Sequence, residues 1–305
     1  MKNILVVSYS QSGQLDEILD NFLIPLQAFH IERVRISPKD EYPFPWTSES
    51  FFDLMPETVL EEPIALAPFS FEHDHYDLVI LGYQPWYLSP SQPTTALLQS
   101  ESFRNVLKDT PVATVIGSRN MWINAQKSIV RDIDDAGGKL VANIPLIDRV
   151  QNHISALTIL HWMLTGKKTR RWGFLPLPGV SQEDIIGAKQ YGEPLAEALS
   201  NNMFHVVHEK ILDKGGISIA PSIIFIEARA KKLFMIWANL IKRKGTTPKK
   251  RAFYVSFFKY YLVFALFVVS PFILIVYFLL RPLFYSKIKK DREQILYLGI
   301  NRAQS

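Results

Sequence analysis

The chain has 305 residues, with 34 Lys and Arg against 29 Asp and Glu and a net charge of +5. That length holds one good-sized domain plus an appendage, and a mean hydropathy of +0.06 excludes a polytopic membrane protein. There is no cysteine, which removes disulfides, thiolate nucleophiles, iron–sulfur clusters and zinc–thiolate sites.

The N-terminal segment MKNILVVSYSQSGQ lacks the long apolar core of a secretory signal, so the large domain is expected to face the cytoplasm. Residues 3–9 form a short, continuous apolar run, which suits a strand buried on both faces of a parallel sheet. Residues 14–29 place Leu15, Ile18, Leu19, Phe22, Leu23 and Leu26 at helical spacing, with Pro25 late in the segment to kink or end it. Residues 31–36, 76–81 and 111–116 read as further strands, and 140–147 as a weaker fifth. Residues 121–136 predict a helix stopped by Gly137 and Gly138. This alternation predicts an α/β fold: a doubly wound, five-stranded parallel sheet spanning residues 1–200.

Two stretches stand outside the alternation, at about 42–68 and 149–180. Both are rich in aromatics and proline, and insertions of that length with that composition point to function. Residues 181–199 predict a helix capped by Ser181, with Glu183 and Asp184 in its first turn. Residues 201–252 read as an amphipathic and basic linker, in which 222–243 is either interfacial or packed on the domain. Residues 253–285 read as a membrane segment, because 262–280 carry no charge over about the 18–20 residues that cross a bilayer as a helix. Residues 286–305 form a basic tail. Basic residues flank the run on both sides, a pattern that meets anionic headgroups rather than nucleic acid. The expected location is the inner face of the cytoplasmic membrane. Since both flanks are basic and Ser270–Pro271 falls mid-run, a single span and a hairpin returning to one side both remain open.

The turn Ser8, Tyr9, Ser10, Gln11, Ser12, Gly13, Gln14 joins the first strand to the first helix. Hydroxyls and backbone N–H groups at a helix N-terminus bind phosphate without a basic side chain. The spacing is neither G-x-G-x-x-G nor a Walker loop. It resembles the phosphate loop of flavodoxins, which implies FMN as cofactor. Two further loops follow the third and fourth strands: Gln84, Pro85, Trp86 and Tyr87, then Gly117, Ser118, Arg119, Asn120 and Trp122. In a flavodoxin-like order these loops flank the switch point where a flavin ring lies.

Taken together, SYSQSGQL, GYQPWYLSPSQP, IGSRNMW, WMLTGKK and LPLPGVSQEDI resemble the flavodoxin-like dialkylresorcinol condensing enzymes of bacterial pigment-lipid clusters. The resemblance covers about residues 1–199 and rests on the order of segments, not on a catalytic signature. It implies a role beside a ketosynthase partner. With no thiol to carry acyl groups, this chain would be the aromatase that oxidises a 2,5-dialkylcyclohexane-1,3-dione, a lipid-like substrate, to the resorcinol. His153 is the expected base and Arg119 the expected support for the enolate or flavin. The alternatives are a quinone reductase or electron carrier of the same fold, and a non-catalytic scaffold docking a ketosynthase at the membrane. His73-Asp74-His75 reads as a solvated loop, and no metal is expected.

Overall fold

The structure, a computed structural model, describes residues 1–300; the last five residues of the expected basic tail lie outside the described residues. The chain opens with β1 (Asn3–Ser8) and α1 (Gln14–Phe22), and a 3-10 turn over Ile24–Leu26 carrying Pro25 leads to β2 (His30–Arg35). The first insertion folds as α2 (Ser48–Asp53) and α3 (Met55–Val59). Strand β3 (Leu78–Tyr83) then runs into a small hairpin of β4 (Pro85–Trp86) and β5 (Ser89–Pro90). Helices α4 (Gln92–Gln99) and α5 (Glu101–Leu107) return the chain to β6 (Pro111–Ser118). Helix α6 (Ile123–Asp135) leads to β7 (Lys139–Ile147), and Gly137 at φ 78° supplies the left-handed residue that ends it.

The five long strands are all parallel in the order β2-β1-β3-β6-β7. That order, reversing between β1 and β3, is the flavodoxin-like doubly wound arrangement. Because side chains alternate across a strand, β1 feeds two cores. Ile4 and Val6 meet Leu15, Leu19, Phe22, Ile185 and Leu195 on one face. Leu5 and Val7 meet Leu97, Phe103, Ile129 and Ile133 on the other. The third strand starts two residues later than the sequence suggests, since Tyr76 turns inward and its hydroxyl donates to the Glu32 carboxylate.

The second insertion is built on α7 (Asn152–Thr165), ended by Gly166 at φ 69°. It is followed by α8 (Gln182–Gly187), where the Ser181 hydroxyl accepts the Asp184 N–H at 3.1 Å, and α9 (Lys189–Asn201). Gly192 sits where α9 presses on the end of α1: a Cβ there would lie 2.2 Å from the Phe22 carbonyl oxygen.

The stretch read as a linker contains two helices. Helix α10 (Val207–Asp213) buries Val207 and Ile211 in the first core. Helix α11 (Pro221–Lys244) buries Glu227, Ala238 and Ile241 against the domain and leaves Leu233 and Ile236 outward. The apolar run is one long helix, α12 (Pro248–Phe264) continuing into α13 (Ser270–Leu280) through a wide π-turn over Ala265–Val269. Pro271 offers no N–H to the Phe267 carbonyl, and the wide turn absorbs that loss where the sequence suggested a kink. Helix α14 (Tyr285–Leu296) follows, and Ile295 is buried in the second core.

Candidate functional site

At the carboxyl end of β1 the chain turns through Gly13 at φ 82°, a conformation glycine adopts without Cβ strain. Gly13 is the N-cap of α1 and supplies no side-chain cap, so the first-turn N–H groups of α1 point into the turn with no intrahelical acceptor. Around them stand hydroxyls without partners. The Oγ atoms of Ser8, Ser10 and Ser118 are all buried and all lack a hydrogen bond. Buried polar atoms normally find partners, so three orphans at the carboxyl ends of β1 and β6 and in the turn before α1 favour an acceptor-rich ligand there. A phosphate monoester, as in FMN, fits this donor set. Serine hydroxyls and N–H groups are present, and the helix dipole adds favourable charge.

Other residues of the turn already have partners. The Gln14 side chain is tied to Val180 twice, donating at 3.1 Å and accepting at 2.9 Å, and so fixes the turn at residue 179 against the phosphate loop. The Gln84 Oε1 accepts the Gln11 N–H at 3.1 Å, and the Gln11 side chain accepts the Tyr9 hydroxyl. Burial pushes the Tyr9 phenol well above its ordinary pKa, with the neighbouring Tyr42 and Glu41 adding to the rise, so it stays a neutral donor.

From this turn a cavity of about 450 Å3 opens toward the C-terminal helices, within the ~300–1,000 Å3 of small-molecule sites. The end beside the turn after β1 is lined by Gln11, Ser12, Gln14, residues 84–88, Gly117, Ser118, Arg119 and Met121. Its far end is lined by Leu233 and Phe234 of α11 and by Leu262, Leu266 and Ile273 of the long helix. The first insertion adds Trp46 and Phe51. Trp86 lies at the centre of an aromatic cluster, its ring edge-on to Tyr9, Tyr42 and Trp46 at 5.9, 5.5 and 5.7 Å. Tyr87 and Leu88 turn the β4–β5 hairpin with φ of 48° and 63°, unusual for non-glycine residues. This puts the Tyr87 ring against Phe234 and Phe258, and its hydroxyl donates to the Phe51 carbonyl at 2.7 Å. The hairpin therefore joins the turn after β1 to the C-terminal helices.

Arg119 is the charged group at the end of the cavity beside the turn after β1. It donates to the Asn152 carbonyl at 3.0 Å, and among the described residues no carboxylate forms an ion pair with it. Burial pushes its pKa down to about 10, against the upward pull of Asp148 and Glu227. A desolvated guanidinium without a direct counter-ion favours an anionic ligand.

Several residues singled out from the sequence stand elsewhere. Trp122 is 1% exposed and fills the second core. Asn120 donates to Asn152 at 3.0 Å beside the cavity. His153 lies on the first turn of α7, outside the cavity lining. Its Nδ1 is 2.8 Å from the Gln151 amide and its ring faces Phe267 at 6.2 Å, so it is held between α7 and the long helix. Trp46, Phe51, Leu233 and the long helix line the cavity without having been singled out. The aromatic density of the first insertion was the available signal. Nothing in the apolar run marks which of its residues face the domain. At the opposite end of the sheet, His73 comes together with His30 and Glu72, all three ligand atoms within 4.8 Å of one another. The His73-Asp74-His75 tripeptide gave no sign of this, because His30 begins a distant strand.

No family model and no curated protein matches the sequence. Among solved structures the chain is similar to a flavoprotein from Lactobacillus acidophilus NCFM in complex with FMN. The two are 16% identical, with a TM-score of 0.40 over 48% of this chain and 93% of that one. It is also similar to a flavodoxin from the domain Archaea, at 11% identity and TM-score 0.36 over 65% of this chain and 99% of that one. A flavone reductase matches at 13% identity and TM-score 0.36, over 66% of this chain and 64% of that one.

Proposed function

We propose that this protein is an FMN-dependent oxidoreductase working at a membrane surface on a lipid-like, anionic ring substrate. One observation carries the reading: a single cavity runs from Gln11, Ser12 and Gln14 of the turn after β1, past the orphaned Ser118 hydroxyl, to the apolar C-terminal helix. The first end suits a flavin phosphate and the second suits alkyl chains. When bound, FMN supplies a two-electron acceptor. Ser8, Ser10, Ser118 and the α1 N-terminus would hold its phosphate, and Trp86 and Tyr87 would bound its ring.

The cavity lining contains no Asp, Glu or His, so no side chain there serves as a strong base near neutral pH. A cyclohexane-1,3-dione is acidic enough at C2 to arrive as the enolate, and the C4 proton that leaves as the C5 hydride passes to the flavin would go to solvent water. Arg119 would hold the enolate oxygen, and the apolar walls would orient the alkyl chains. The finer assignment, aromatisation of a 2,5-dialkylcyclohexane-1,3-dione beside a ketosynthase, is supported by the sequence resemblance and by this fit of charge and shape.

The test is spectroscopic. The purified protein should carry or take up FMN, and the bound flavin should bleach when a dialkylcyclohexane-1,3-dione is added without oxygen. A colourless protein that ignores FMN would sink the redox reading. Bleaching by NADH followed by quinone, but not by the dione, would point to a quinone reductase instead.

A further inference from the structure

We infer that the long apolar helix does not cross the membrane: it lies in the plane of one leaflet, with both of its ends on the side of the catalytic domain. The inference rests on the membrane association proposed above and fixes its topology.

The first observation is that the helix touches the domain at both ends and at intervals between them. At its start, Arg251 donates to Asp53 at 2.6 Å and to both oxygens of Glu57 at 2.9 Å. Two turns further, Phe258 is fully buried among Phe52, Phe234 and Trp237. Leu262, Leu266 and Ile273 wall the cavity, and near the end the Tyr277 ring packs at a tilt against Phe225 of α11, 5.1 Å between centroids. Helix α11 therefore runs antiparallel beside it. Its central turns carry Glu227, Arg229, Lys231 and Lys232, which a perpendicular crossing would draw into hydrocarbon.

The second observation is that the chain returns. Beyond the helix, Ile295 is buried in the domain core with Ile129 and Ile133. The His208 ring of α10 bonds the Leu296 carbonyl at 2.7 Å, and the Tyr297 hydroxyl donates to Glu209 at 2.7 Å. A tail fastened to the same domain that holds the start of the helix cannot stand on the far side of a bilayer.

The third observation identifies the occupant. Opposite the docked residues, Phe257, Phe264, Val268, Phe272, Ile275 and Leu279 form one exposed line, each between 43% and 73% accessible. Exposed Arg243 and Lys244 precede the helix, exposed Lys249 and Lys250 stand in its first turn, and Lys287, Lys289 and Lys290 follow it. An apolar stripe with basic ends fits acyl chains beneath anionic headgroups. Val263 and Phe267 are both exposed and lining the cavity, so the cavity opens beside the stripe and a substrate enters from the leaflet.

The sequence has no cysteine, so single labels can be placed in the full chain. Thr246→Cys and Ser286→Cys, on either side of the helix, are both exposed. With a membrane-impermeant maleimide, both should react in everted vesicles and neither in intact cells. Reaction of one in cells and the other in vesicles would overturn the inference. Separately, Phe264→Glu with Ile275→Glu should weaken binding to vesicles containing phosphatidylglycerol more than tenfold while the far-UV spectrum is unchanged. Unchanged vesicle binding together with loss of a dimer would overturn it too, assigning the stripe to a second copy of the chain. None of these readouts needs flavin, so a colourless protein would remove the redox reading and leave this one standing.

Discussion

Glu227 of α11 caps a helix to which it does not belong: its Oε1 lies 2.6 Å from the main-chain nitrogen of Asn124, in the first turn of α6. Trp122, the N-cap of α6, offers no capping side chain, and the Asn124 amide also donates to Glu227 at 3.0 Å. The carboxylate thus closes an exposed set of N–H donors from across an interface. Its second oxygen is buried without a partner. Burial outweighs the bonds from Asn124 and raises the pKa to about 7.

The sign of the pH effect follows. The folded state holds the Glu227 proton more tightly than the unfolded chain does, so this stabilisation is complete below the unfolded pKa near 4.5. It is lost as pH rises through about 7. A shift of that size corresponds to a few kcal/mol at most, at about 1.4 kcal/mol per pH unit. Glu227→Gln should therefore remove much of the stability lost between pH 5 and 7.5. Urea denaturation of both proteins at the two pH values checks this. An equal loss in both proteins would show that Glu227 does not control it.

Arg251 tests the docking of the long helix. Its guanidinium bridges Asp53 and both oxygens of Glu57, and these bonds hold the Glu57 carboxyl below its ordinary pKa despite burial. The side chain is partly exposed, so screening by water reduces the value of the pair. Arg251→Ala should cost about 1–2 kcal/mol and raise amide exchange in α2 and the first turns of α12. Arg251→Lys keeps the charge but loses the fork, and should recover less than half of that. Hydrogen-exchange mass spectrometry separates this local loosening from global loss of fold.

Gly192 predicts a larger effect from one methyl group. The Cβ of alanine would stand 2.2 Å from the Phe22 carbonyl and 3.3 Å from Pro25, and main chain cannot step aside as a side-chain tip does. Gly192→Ala should cost more than 2 kcal/mol, although alanine favours a helix by about 1 kcal/mol at an unconstrained site. A thermal melt that moved upward would show that α9 slides to make room.

Legibility varied along the chain for physical reasons. The strands could be read because a parallel sheet covered on both faces demands unbroken runs such as ILVV and LVIL. The position of the serine-rich turn between β1 and α1 could be read because the first apolar run and the first helical spacing bracket it. Capping of α6 by Glu227 was invisible, since the partners are 103 positions apart and a lone Glu in a basic helix reads as solvated. The docked face of the long helix was also invisible. Phe258 inside and Phe257 outside are the same residue type, and the polar neighbours Ser256 and Lys259 flank the pair on both sides without marking which of the two is buried. His153 drew attention as the histidine of an aromatic insertion, yet its position depends on Phe267, which the sequence places in another segment.

The orphaned hydroxyls allow stability and binding to be separated. A buried hydroxyl without a partner costs its desolvation and returns nothing to the folded protein. Ser10→Ala should therefore leave the cofactor-free protein as stable as before, or slightly more so. Against a bound phosphate the same hydroxyl makes a bond to a charged acceptor, typically about 1.5–3 kcal/mol. Its loss should weaken FMN at least tenfold, at about 1.4 kcal/mol per decade. Riboflavin, which lacks the phosphate, should bind wild type and variant alike. Flavin fluorescence titrations with both ligands, beside melts of the cofactor-free proteins, read out all three quantities. If Ser10→Ala lowers the melting temperature and leaves FMN binding unchanged, Ser10 serves the fold rather than the cofactor.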